Sequence, residues 1–554
     1  RSERDAGDAG QPRERFARAG EMLRWLDETS GRLSRDVVSG WLMHRGDPTR
    51  NRAVDIDAPC LDSEPLLPML GNPTLQQHVA ATRKRLYDDY QPAISRLSPL
   101  VVGKLIVFRG ATHLHAVDFT TGKLVWEAGL EDSFRRFLRA EGDAEAALSS
   151  PAVARGLQRR FFEDQVFGAL SSDGRLVFGV EDIPFGFGPE HQMLTIGPDG
   201  RRRIDSESAR RGNLLTAHDL STGKLCWEIG GASGSGLPLA GARFLGPPLP
   251  LGDRLYACAV IGRQRALVEL DAASGNPRTV LSLSLVDPSE SEDANPAAGV
   301  VVIGGVVQNQ ANALSTAAAM PSYADGVLVC QIGDNQYVAV NLATQSVRWV
   351  YHLSEAETGR TTNIWVRRAQ AAQTSAAQGR WIEAGATIAD GRVLLTPVQL
   401  DELICLDLSD GRFLWSVPRR DGLYVGGVDG GRVLVVGRTA VWAIDLDSGR
   451  PAWPHERLTL PASAMPSGLG LAAEGKYHLP LSNGEVLTID MAQGKVAARA
   501  RGSAESPPGN LVAAHDAVIA QTPEGLWRFE TLAGRDRRLA DHEIAILGPR
   551  LNAA

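Results

Sequence analysis

The chain has 554 residues, 43% of them hydrophobic and 22% charged, which excludes a disordered or collagen-like polymer and calls for several domains or one repeat array. A formal net charge of -7 excludes a general nucleic-acid-binding surface, so no nucleic-acid partner is expected. No apolar run approaches the roughly 18 residues of a spanning helix, and the cysteines at 60, 226, 258, 330 and 405 include no CxxC and no adjacent pair.

Residues 1–40 contain "RERFARAGEMLRWLDETSGRLSRDVVSGW", whose apolar spacing predicts a short helical N-terminal extension or a linker from an upstream region. The first residue is not Met and the last stretch, 541–554, stops in mid-flow, so the expectation is a piece of a longer polypeptide. Residues 41–97 form a lead-in that opens with "WLMHRGDPTRN". From 98 to 540 one string recurs: an apolar alternation, an acidic or amide residue, two or three spacers, a Gly, and then a Trp. Its anchors are Asp118, Asp219, Asp271, Asn341, Asp407, Asp445, Asp490 and Glu530.

Gly follows the anchor by four residues at Gly122, Gly223, Gly275, Gly411, Gly449, Gly494 and Gly534, with Gln345 the exception. Trp follows by eight at Trp126, Trp227, Trp349, Trp415 and Trp453. The Gly can take positive φ and reverse the chain, the Asp or Asn can bond the turn's backbone, and the Trp is too large for one sheet to bury. Before each anchor lies a second hairpin, as in "ATIADGRVLLTPV", with D-G, G-K or G-R at its turn. Two hairpins make a four-stranded antiparallel blade. Eight copies predict an all-β, eight-bladed β-propeller, the five Trp docking blade to blade and the seven Gly closing blade turns.

Within the array, 131–165 has helical spacing with a start at Ser149-Ser150-Pro151 and is read as a helical insertion. The stretch 181–213 is read as a long polar loop, and 286–320 and 353–380 as further insertions on one face. With blades one and eight each holding four strands of their own, the ring closes either side to side or, the reading preferred, through an outer strand added by residues 41–60. Cys226, Cys258, Cys330 and Cys405 are read as packed thiols.

The string D-x-x-T-G-K-x-x-W, as at Asp118 and Asp219, resembles the PQQ-type propeller repeat of quinoprotein alcohol dehydrogenases and of the propeller lipoprotein of outer-membrane protein assembly. "WLMHRGDPTRN" is similar to the lead-in of such proteins. "PSYADGVLVC" and "VGGVDGGRVLVVGR" resemble large PQQ-like propeller proteins of planctomycete bacteria. The resemblance spans about residues 41–540 and implies a periplasmic or cell-envelope setting.

It also implies two functions. A PQQ-dependent dehydrogenase needs a base carboxylate, a Ca²⁺ site and a cation at the quinone, and tends to carry a vicinal disulfide. No adjacent cysteines occur, and "FEDQ" (162–165) and "DNQ" (334–336) are isolated, so neither is assigned as a ligand set. His113 and His115 face one side of a strand without a third ligand, and "GASGSG" (231–236) lacks the lysine and helix of a phosphate loop. The reading adopted is a non-catalytic scaffold with no catalytic, metal or cofactor residues, binding other proteins, including subunits of a larger envelope assembly. The alternatives are the dehydrogenase, with PQQ and Ca²⁺, and a ligand-sensing or structural subunit.

Overall fold

A computed structural model of the chain describes residues 40–61, 65–68, 73–129, 151–181, 194–196, 202–204, 212–285, 300–303, 306–309, 318–332, 336–353, 380–398 and 400–537. The expected N-terminal helix (1–39) and the tail (541–554) lie outside these residues, as do 131–150 and most of 182–211, 286–317 and 354–379.

Eight antiparallel sheets form an eight-bladed β-propeller, and every anchor ends the third strand of its blade. Blade 5 shows the pattern: Ala386–Ala389, Arg392–Leu395, Glu402–Asp407 and Phe413–Pro418, each strand paired with the next. Its first turn is Asp390-Gly391, with φ of 46° and 71°, as a two-residue hairpin of right-handed twist requires. Side chains alternate between the two faces of each sheet, so each face packs on a different neighbour. Phe178 and Val180 of blade 2 thus meet Leu255 and Ala257 of blade 3, and Leu394 of blade 5 meets Val433 of blade 6. The core is a ring of such layers between blades.

The anchor turn has the same build in blades 1, 2, 3, 5, 6 and 7. In blade 2 Gly223 N–H donates to Asp219 O (2.8 Å) and Asp219 N–H to Lys224 O (2.8 Å), while Asp219 Oδ1 accepts from Thr222 N (2.9 Å). Gly223 has φ of 70°, and the six such glycines from Gly122 to Gly494 lie between 68° and 72°. Trp126 of blade 1 lies flat on this turn: a Cβ at Gly223 would stand 2.3 Å from the ring, and Trp126 Nε1 donates to Leu220 O (2.9 Å). Trp227, Trp349, Trp415 and Trp453 repeat the arrangement on Gly275, Gly411, Gly449 and Gly494, donating to Ala272, Leu408, Leu446 and Met491. In blades 1, 2, 4 and 5 the strand bulges beside the Trp, which faces Ala116, Ala217, Ala339 or Cys405 on the third strand.

Blades 3 and 4 break the pattern on both sides at once. Blade 3 has Thr279 where the Trp would stand, and blade 4 has Gln345 where the Gly would stand. With no ring above it, position 345 tolerates a side chain even at φ of 50°. Gln345 Nε2 instead donates to Glu269 Oε2 (2.8 Å), whose other oxygen accepts from Arg254 (2.8 Å).

Closure differs from the sequence expectation. Blade 8 supplies three strands, Asn510–Ala514, Ala517–Gln521 and Gly525–Glu530, and the fourth is Pro65–Pro68, not a segment within 41–60. After Glu530 the chain turns helical over 532–537, so Gly534 sits in that helical turn without positive φ and is not a blade turn. Leu66 of the added strand lies over Gly122, where a Cβ would meet its Cδ2 at 3.0 Å, the place a Trp takes elsewhere.

Because each blade has four strands, the loops between second and third strands and the links between blades all leave one face. The opposite face keeps only the hairpin and anchor turns. The strand ends Glu181 and Leu214, Leu285 and Ser322, and His352 and Ala386 lie at that first face. Two helices lie there as well. Pro151–Phe162, the expected insertion with Pro at its first position, donates from Arg160 to Ala111 O (2.7 Å). Pro73–Asp88 was not expected; it buries Leu75, Val79 and Leu86, and Arg83 bonds Glu524 of blade 8 (2.7 Å).

Gly391 and Gly411 share a blade and a φ near 70°, but only Gly411 lies under a ring; nothing stands within 4 Å of a Cβ at Gly391. Gly391→Ala is expected to cost about 1 kcal/mol from backbone strain alone, and Gly411→Ala about 2–4 kcal/mol. Urea unfolding of the two variants measures the difference, and equal costs would show that the Trp349 contact is not what demands a glycine.

Candidate functional site

Residues 40–54 run along the inner edges of the first strands, inside the ring. Gly40–Trp41 pairs with the first strand of blade 1, and Met43 bridges Ser171 of blade 2. Pro48 O accepts from Tyr323 N of blade 4 (2.8 Å) and Thr49 O from Ile388 N of blade 5 (2.9 Å). Asn51 grips blade 6 with both amide atoms, Oδ1 accepting from Val428 N (2.7 Å) and Nδ2 donating to Val428 O (3.1 Å). Ala53–Val54 then pairs in parallel with blade 7. The strap therefore satisfies strand edges that would otherwise face a water-filled channel.

Its local sequence shapes it for this path. Gly46 takes φ of 89° because a Cβ there would lie 2.6 Å from Arg52 Cδ and 3.1 Å from the Trp41 ring. Asp47 Oδ1 accepts from Thr49 N (3.0 Å) and Thr49 Oγ1 (2.7 Å), closing a side-chain turn. The result is to aim His44 and Arg45 at Glu383, in the link that enters blade 5.

His44 Nε2–H donates to Glu383 Oε1 (2.6 Å), and the Arg45 guanidinium makes two bonds to Glu383 Oε2, one of them from Nε at 3.1 Å. Arg45 also stands 5.3 Å over the Tyr424 ring and donates to Gly426 O (3.3 Å). Arg50 donates to His44 O and Pro321 O (2.8 Å each), and Arg96 to Phe162 O (3.2 Å) and Ile382 O. Burial alone would raise the Glu383 carboxyl, but Arg45 and then His44 outweigh it and hold it far below the ordinary carboxylate range. Burial lowers His44 against the pull of Glu383, and its Nδ1 faces Ser98 Oγ at 3.5 Å. Burial likewise lowers Arg50 to about 10.

A carboxylate so occupied is a poor base and a poor metal ligand, because both oxygens already accept. Among the described residues no three His, Cys, Asp or Glu side chains converge on one point. The axial residues do not fit a quinone-and-Ca²⁺ centre, which needs free carboxylate oxygens.

The remaining sequence candidates are dispersed. Asp164 caps the short helix Gln165–Gly168 by accepting from Phe167 N (3.0 Å), and burial raises its carboxyl. Asp334 and Asn335 lie outside the described residues, and Gln336 bonds His352 at 3.1 Å. His113 and His115 lie side by side, centroids 5.8 Å apart; His115 stacks on Phe108 and burial depresses it to about 4. Cys226 is exposed on its outer strand rather than packed, whereas Cys258, Cys330 and Cys405 are buried. Glu383 was not singled out in the sequence. The available signal was a lone carboxylate inside the apolar stretch from Trp381 to Ala386.

A family profile described as "Outer membrane protein assembly factor BamB" matches residues 361–535, less than half of the chain, and supports the PQQ-like character of the repeat. No curated protein matches. Among solved structures the chain is similar to BamB from Moraxella catarrhalis, at 13% identity over 79% of this chain and 96% of that one, TM-score 0.45. It is similar to a europium-containing methanol dehydrogenase, at 12% identity over 89% and 91%, TM-score 0.49. It is also similar to quinohemoprotein alcohol dehydrogenase from Comamonas testosteroni, at 11% identity over 90% and 82%, TM-score 0.49.

Glu383→Gln keeps the shape but leaves Arg45 buried without its counter-charge, and is expected to cost about 3–5 kcal/mol at neutral pH. Because the folded carboxyl titrates below its ordinary 4.5, this contribution is complete above that pH and is lost as pH falls beneath it. Denaturant unfolding at pH 7 and pH 3.5 should therefore show the gap between wild type and variant narrowing on acidification. A gap independent of pH would contradict the assignment.

Proposed function

We propose that the protein is a non-catalytic propeller scaffold that binds other proteins in an assembly of the cell envelope. The observation that carries the reading is the rim. Outer strands of five consecutive blades expose large apolar side chains beside their unpaired backbone edges: Leu124 and Val125, Leu225, Val280, Val347 and Val350, and Phe413. Four of these, Leu124, Leu225, Val347 and Phe413, stand six residues after their anchors, so the repeat itself places them. Apolar side chains along an open strand edge suit an added strand or an apolar protein face. The match to an outer-membrane assembly factor family over 361–535 supports the same reading, and with it the envelope setting. Among the described residues no helix is long and apolar enough to cross a membrane.

A photo-crosslinking residue at Val347 or Leu225, introduced in the native host, is expected to capture a discrete protein adduct that the same residue at Thr121, on an anchor turn, does not. Adding PQQ and Ca²⁺ to the purified protein is expected to give no stoichiometric quinone spectrum. A stoichiometric spectrum with dye-linked alcohol oxidation would replace the scaffold by a dehydrogenase.

A further inference from the structure

From blade 1 to blade 7, the interface between blades 3 and 4 is the one without a Trp lying on a Gly. It is also the one that holds two thiols. Cys258, on the second strand of blade 3, and Cys330, on the second strand of blade 4, belong to a single apolar layer with Leu249, Leu267, Leu328 and Val338. Alternation along each strand sends them there: Ala257 and Ala259 face blade 2 and Val327 and Val329 face blade 5, which leaves Cys258 and Cys330 facing one another. The Cys258 side chain stands close enough to raise the Cys330 thiol, whose Sγ also donates to Val338 O (3.8 Å), and each residue is 1% exposed. No other pair among the five cysteines shares a layer; Cys405 packs between blades 5 and 6, and Cys226 is exposed.

We propose that Cys258 and Cys330 form a disulfide that ties blade 3 to blade 4 at the interface the repeat leaves unpinned. The oxidant is a small disulfide, R–S–S–R. One cysteine thiolate attacks it, forming a mixed disulfide and releasing RS⁻. The second thiol gives its proton to solvent and attacks the protein sulfur of that mixed disulfide, closing the Cys258–Cys330 bond and releasing a second RS⁻. Two electrons pass to the oxidant, which leaves as two thiols. Interaction with Cys258, and then burial, hold the Cys330 thiol well above its usual value, so the closed ring reacts slowly and the bond forms while blades 3 and 4 are still apart.

The test is to refold the reduced full chain with oxidised glutathione, alkylate the remaining thiols, and map peptides without reduction. A linked Cys258–Cys330 peptide, about 2 Da lighter than its two free parts, with Cys60, Cys226 and Cys405 alkylated, is the expected result. Cys330→Ser should leave Cys258 alkylated, and the oxidised chain should unfold a few degrees above the reduced one. The same map on natively folded chain, held with oxidised glutathione in sub-denaturing urea, serves if refolding fails. Alkylation of both Cys258 and Cys330 in folded, oxidised protein, or linkage of either to Cys60, Cys226 or Cys405, overturns the proposal.

Discussion

One contact sets the geometry of this protein: an indole lying flat on the α-carbon of a glycine in the next blade. It couples two demands that neither residue meets alone. The Trp needs a surface larger than its own sheet offers, and its N–H needs an acceptor, supplied each time by the carbonyl one residue past the anchor. The turn needs positive φ and must show nothing above its backbone. Truncating such a ring to Ala typically costs about 3–5 kcal/mol, so five repeats are a large share of what a marginally stable chain has to spend. At the interface between blades 3 and 4 the two are lost together, Thr279 standing for the ring and Gln345 for the glycine.

This coupling is also why so much of the fold could be read from the sequence. A short-range string of nine residues carries a long-range contact, because the same string recurs and each copy docks on the next. All eight anchors end third strands, and the blade count follows from them. What escaped has a common cause. Pro65–Pro68 is four residues with Pro at either end, a poor strand by its own pattern; the open edge of Gly525–Glu530 makes it one. Gly534 matched the string, yet the chain had no fourth strand to start and went helical instead. Helix Pro73–Asp88, by contrast, is legible in its i, i+4 apolar spacing and first-position Pro, although it lies within the lead-in 41–97.

The axial cluster was least legible, because its members are far apart in sequence. "HRGD" is a recognisable lead-in, but nothing near it announces that His44 and Arg45 will share the carboxylate of Glu383, more than three hundred residues away. A buried ion pair of this kind contributes little net stability and much specificity of placement: only one path of the strap satisfies it. With that path fixed, the centre of the ring is occupied by the chain itself, and the surfaces left for partners are the rim and the face where the long loops emerge.

The strand that completes the last blade has a consequence for the order in which the molecule is made. Pro65–Pro68 leaves the ribosome among the first described residues, and its partner Gly525–Glu530 among the last. At 5–20 residues per second that interval is roughly 20–90 s. Throughout it the nascent chain holds an apolar strand without its final partner, while the strap gains its blades one after another. The ring can be sealed only after Gly525–Glu530 has emerged, which makes the unsealed chain the species on which chaperones and proteases would act.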